Sequence, residues 1–106
     1  MVNKAQTVDH AEELGRAWAM HRNGNQNGAA EIFKNILIKS PSNLDAMYGL
    51  GLAQRAAGQN SEAIETFDKA LAGVHTELQQ NPGEDRLEIL ERMLNQRLAE
   101  LRAITK

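Results

Sequence analysis

The chain has 106 residues, enough for one small domain, and its 42% hydrophobic fraction, mostly Ala, Leu and Ile with few aromatics, favours helices over strands. A net charge of −2 and a pI near 5.9 exclude the basic field that a generic nucleic-acid or anionic-membrane surface requires. The absence of cysteine excludes a disulfide frame, a thiolate metal site and a cysteine nucleophile, and it fits a cytoplasmic protein.

Residues 1–8 show no periodicity and are expected to fray; the polar start, with Asp9, Glu12 and Glu13 close behind, does not read as a signal peptide. Asp9 followed by Glu12 has the form of a capping box. Leu14, Ala17, Trp18 and His21 then fall on one face of a first helix, which Asn23-Gly24-Asn25 ends. A second helix is predicted over about 26–39, with Ala29, Ile32, Phe33, Ile36 and Leu37 buried and Ser40-Pro41 as its stop. Ser42, with Asp45 three residues on, predicts the start of a third helix, which Gly58 closes. It carries Met47, Leu50, Gly51 and Gln54 along one side and Tyr48, Leu52 and Arg55 along another. A fourth helix is expected from Asn60 or Ser61, burying Ala63, Ile64, Phe67, Ala70 and Leu71. Nothing breaks it at His75, and Val74 and Leu78 carry its apolar stripe on to Gln80. Gly73, at a cost of about 1 kcal/mol relative to alanine, marks a bend or a close approach by another backbone. Asn81-Pro82-Gly83-Glu84 reads as the start of a last helix over 83–104, with Leu87, Leu90, Leu94, Leu98, Leu101 and Ile104 on one stripe.

Residues 10–43 laid on 44–77 match at Gly15/Gly49, Ala19/Ala53, Gly24/Gly58, Ala29/Ala63, Glu31/Glu65, Phe33/Phe67 and Leu37/Leu71. Turn glycine falls on turn glycine and phenylalanine on phenylalanine, the mark of a stacked repeat in which each helix pair needs its neighbour. The second unit resembles the tetratricopeptide repeat through Met47, the pair Leu50-Gly51, Ala63, Phe67 and Ala70. Gln54 and His75 depart from that motif, where it has tyrosine and proline. The first unit resembles it mainly through Ala29, Phe33, Ile36 and Pro41, and Glu13 and Arg16 stand where apolar residues are expected, which suggests a rotated face.

The resemblance implies an all-α, right-handed solenoid of five helices: one repeat over 10–43, a second over 44–80 and a capping helix over 83–104. It further implies a non-catalytic interaction module whose first helices line a concave groove for a protein or peptide partner. Leu14, Trp18, His21 and Arg22 from the first repeat, with Tyr48, Leu52 and Arg55 from the second, are the residues expected in that groove. Trp18 and Leu52 occupy equivalent positions and are expected to be neighbours. Trp, Tyr and Arg carry much interface energy, although Trp18 and Tyr48 could equally be covered by residues 1–8 or by a neighbouring molecule. Some members hold the acidic tails of chaperones in a clamp of Lys and Asn. The matching positions here are Leu14, Trp18, Gly49, Gln79 and Gly83, which argues against that ligand, and Gly49 is expected to leave a gap on the groove side.

No cofactor motif is present. His10 and His21 stand about 16 Å apart along a helix, too far to share a metal, and His75 lies on another element. The acidic pairs Glu12-Glu13 and Glu84-Asp85 fall in first helical turns, where the helix dipole favours them. No catalytic or metal site is expected. Leu87, Leu94 and Leu101 are seven apart, so the last helix offers a second role as a coiled-coil dimer seam, with Arg97 interrupting it. The competing arrangement, a monomer with Leu78 near Leu87 and Leu71 near Leu94 in an antiparallel hairpin, covers the solenoid end and is favoured.

Overall fold

A computed structural model of the protein describes residues 10–105. The described residues form α1 (Ala11–Arg22), α2 (Gln26–Lys39), α3 (Leu44–Ala56), α4 (Asn60–Gln80) and α5 (Asp85–Ile104), with each helix packed on the next. The expected cap at Asp9 lies outside the described residues. His10 precedes α1 in the left-handed region, at φ 57°, and its side chain makes no cap.

The two turns between paired helices are built alike. Gly24 and Gly58 take φ of 89° and 82°, and the N–H of the next residue reaches back five positions, Asn25 to Met20 and Gln59 to Gln54. This ending satisfies carbonyls left open at the helix terminus and is open to glycine at little cost. Two starts differ from the expected ones. Asn43 rather than Ser42 caps α3, its Oδ1 accepting from the Ala46 N–H at 3.0 Å. The segment from Asn81 to Glu84 is a turn: Asn81 ends α4, Gly83 takes φ 81°, and α5 begins at Asp85. A left-handed residue cannot continue a right-handed helix, which overrides the start signal at Pro82.

Two apolar clusters stack along the chain. Ala17, Ala29, Phe33, Ile36, Ala46, Leu50 and Ala53 form the first, from α1, α2 and α3. Ala63, Phe67, Ala70 and Val74 meet the α5 leucines 87, 90, 94, 98 and 101 in the second. The phenylalanines join the layers. A Cβ at Gly49 would overlap the Phe33 ring, and one at Gly51 would overlap the Phe67 ring, both rings being fully buried. Gly51 therefore admits the aromatic of its own repeat and Gly49 that of the repeat before; the space at Gly49 is filled, not a gap in the groove. Gly73 likewise faces a side chain, Leu44 of α3, rather than a backbone. Gln54, which departs from the repeat motif's tyrosine, is buried and accepts a hydrogen bond from the Thr66 hydroxyl of α4 at 2.7 Å, which satisfies its carbonyl oxygen.

α1 closes one end by composition. Ala46, Gly49, Leu50 and Ala53 of α3 are buried under α2, whereas Glu12, Gly15 and Arg16 at the equivalent places on α1 are exposed. Arg16 is thus on a solvent face. Glu13 turns towards α2, accepting from Lys39 Nζ at 3.0 Å and from His10 Nδ1 at 2.8 Å, and His10 Nε2 lies 2.9 Å from Ser40 Oγ.

The other end is closed by α5, antiparallel to α4, with Asp68 paired to Arg102 and His75 to Glu91. The five leucines of its stripe are buried within the chain, but Ile104, expected among them, is 69% exposed. α4 has 21 residues against 14 in α2. Seven more residues add about 10 Å of helix, and the molecule measures 52 by 33 by 19 Å.

Candidate partner-binding groove

Leu14, Trp18 and His21 stand at i, i+4 and i+7, and Tyr48, Leu52 and Arg55 repeat that spacing on α3, so each set occupies one helix face. All six are partly buried, and Arg22 is exposed. Trp18 packs edge-on to Phe33, ring centroids 5.2 Å apart, and 6.0 Å from His21. Tyr48 leans on Phe67 at 5.8 Å. Trp18 belongs to the first cluster and Leu52 to the second. Each aromatic is anchored by its own repeat's phenylalanine and keeps part of its surface open. His21 is committed to the α1–α2 turn: its Nδ1 donates to Gln26 Oε1 at 2.6 Å, and Gln26 Nε2 donates to the His21 carbonyl.

α5 places charged side chains beside α3 that sequence spacing did not reveal. Arg97 Nε and Nη2 each donate to Glu100 at 2.9 Å, and Arg55 Nη1 of α3 donates to the same carboxylate at 3.0 Å. Arg97 also meets the Tyr48 hydroxyl. The Arg97 hydrogen bonds, and more weakly the charge of Arg55, hold the Glu100 carboxyl below the usual carboxylate range. Glu100 and Tyr48 hold Arg97 still more firmly protonated. The residue that interrupted the leucine seam is thus tied through Glu100 to Arg55 of α3.

Two of the positions matched to the chaperone-tail clamp, Gln79 and Gly83, do not lie on a third groove helix. Gln79 lies in the last turn of α4 and Gly83 in the turn that follows, because the lengthened hairpin abandons the 34-residue register. At Leu14, Trp18 and Gly49 the clamp side chains are absent as the sequence indicated.

Among the described residues, no group of three or more His, Cys, Asp or Glu gathers to hold a metal, and no helix is long and apolar enough to cross a membrane. No curated protein and no solved structure shows significant similarity to the chain. A family model described as tetratricopeptide repeat matches residues 20–80, from the end of α1 through all of α4. The match leaves out most of α1, where Glu12 and Arg16 replace the apolar residues of the equivalent α3 face. It covers more than half of the chain and takes in both phenylalanine–glycine layers. The chain belongs to the tetratricopeptide repeat family.

Proposed function

We propose that the protein is a non-catalytic interaction module that binds a peptide or protein segment along the faces of α1 and α3. Repeats of this family generally mediate protein–protein interaction. The observation that carries the reading is the state of Trp18, Tyr48 and Leu52: held on one side by the core, open on the other. Large, oriented side chains of this kind lose little conformational freedom on binding, which suits them to anchor a partner. Titration of candidate partners against the fluorescence of Trp18, the single tryptophan, tests it. Trp18→Ala with Leu52→Ala is expected to abolish partner binding, measured by calorimetry, while leaving the helical content intact. Undiminished binding by that variant would overturn the proposal.

A further inference from the structure

The charge at the groove differs from the charge of the chain. The protein is net acidic, yet Arg22, Arg55 and Arg97 stand on or beside the groove faces, and Glu100 is the carboxylate that meets two of them. Glu100 Oε1 accepts from both guanidiniums, and its other oxygen takes the second bond from Arg97. A guanidinium carries five N–H donors, and the Arg55 bond to Glu100 uses one of them. Arg55 and Glu100 keep 37% and 46% of their side-chain surface exposed, so this pair is accessible to another molecule. An exposed pair of this kind is worth little and is readily exchanged for a similar one.

Resting on the groove reading above, we infer that the partner segment presents an Asp or Glu side chain to Arg55, and that Glu100 is the built-in competitor it displaces or joins. The residues around the cations define the rest of the segment. Ile89, Met93, Glu100 and Ile104 lie on one side of α5 at helical spacing, and Ile89 and Ile104 are 49% and 69% exposed. Apolar surface therefore precedes and follows the charged point, and Leu52 adjoins it one turn before Arg55 on α3. This arrangement suits an acidic residue inside a segment, flanked by apolar side chains.

The test is panning of a random dodecapeptide library, displayed with the peptide carboxyl terminus joined to the coat protein, against the immobilised 106-residue chain. Enriched sequences are then synthesised with both termini blocked and measured by calorimetry. The expected consensus carries Asp or Glu between apolar residues. Replacing that acid by its amide weakens binding about two- to fivefold, as does Arg55→Gln, whereas Glu100→Gln strengthens it by a similar factor. Peptides that need Trp18 and Leu52 but are indifferent to their own acid, to Arg55→Gln and to Glu100→Gln would leave the groove reading standing and overturn the inference about charge. No enriched peptide, or binding unaffected by Trp18→Ala with Leu52→Ala, would overturn the groove reading and this inference together.

Discussion

The repeat makes a prediction of opposite signs at two equivalent glycines. Gly15 and Gly49 occupy the same place in α1 and α3, yet a Cβ at Gly15 meets nothing within 4 Å and one at Gly49 runs into the Phe33 ring. Gly15→Ala adds helix propensity without a clash, so it is expected to stabilise by about 0.5–1 kcal/mol. For a domain of this size that corresponds to a rise in melting temperature of roughly 2–8 °C. Gly49→Ala gains the same propensity, but three Phe33 ring atoms stand closer than any real Cβ contact, and the ring is fully buried, so it shifts only by disturbing the close-packed core around it. Overpacking of a filled core costs about 1–3 kcal/mol, which matches or exceeds the gain, so the variant is expected to be less stable. Phe33→Leu, destabilising by itself, should relieve part of the added cost of Gly49→Ala, giving a non-additive double-mutant cycle. Thermal and urea melts of the four variants measure this. A Gly49→Ala protein that melts above wild type, or costs that add, would refute the seating of Phe33 on Gly49.

Leu94→Ala, at a fully buried site between α4 and α5, should cost about 2–5 kcal/mol, whereas Ile104→Ala, on the exposed side, should change stability by less than about 0.5 kcal/mol; urea melts separate them. Because the leucine stripe is spent within the chain, light scattering at micromolar concentration should give the monomer mass of 11.7 kDa, and a dimer would show that some other surface of the chain self-associates. His10 and then Lys39 lower the Glu13 carboxyl below its ordinary 4.5. Its contribution to stability is therefore complete above about pH 4.5 and is lost as pH falls through the lowered value. Melts between pH 7 and pH 3 should show a smaller acid loss in Glu13→Gln than in wild type.

The parts of the fold legible in the sequence were those fixed by single residue types. Gly24 and Gly58 end their helices in the left-handed conformation, and Phe33 and Phe67 mark the two layers. The caps were less legible, since Ser42 and Asn43 are both good acceptors and only the path of the chain decides that Asn43 reaches the Ala46 N–H. Asn81-Pro82 carried a start signal for α5 that Gly83 cancels by its backbone angle. The candidate groove was readable on α1 and α3 because the repeat period carries one helix onto the other. Arg97 and Glu100 were not readable, since no periodic pattern joins them to Tyr48 and Arg55.

The reason lies in the length of α4. Had the period of 34 continued, the wall opposite Tyr48 and Leu52 would fall near residues 82 and 86, in the turn and first helical residues after Pro82. The extra two turns of α4 lengthen the hairpin, and α5 must return the same distance before Glu100 lies beside Arg55 of α3. The α5 residues that reach α3 are then Arg97, against Tyr48, and Glu100, against Arg55, offsets of 49 and 45 instead of 34. One lengthened helix thus does two things. It buries a full leucine stripe that closes the end of the stack, and it replaces the third wall a regular repeat would have offered with a guanidinium pair bridged by one carboxylate. Shortening α4 and α5 by two turns each at the tip, in register, would remove Leu87 and Leu90 but leave Asp68 beside Arg102 and Glu100 beside Arg55. On this reasoning such a variant folds, less stably for the leucine contacts it gives up, and keeps its preference for acidic segments in calorimetry; a loss of that preference would show that the tip of the hairpin, and not Arg55 with Glu100, sets it.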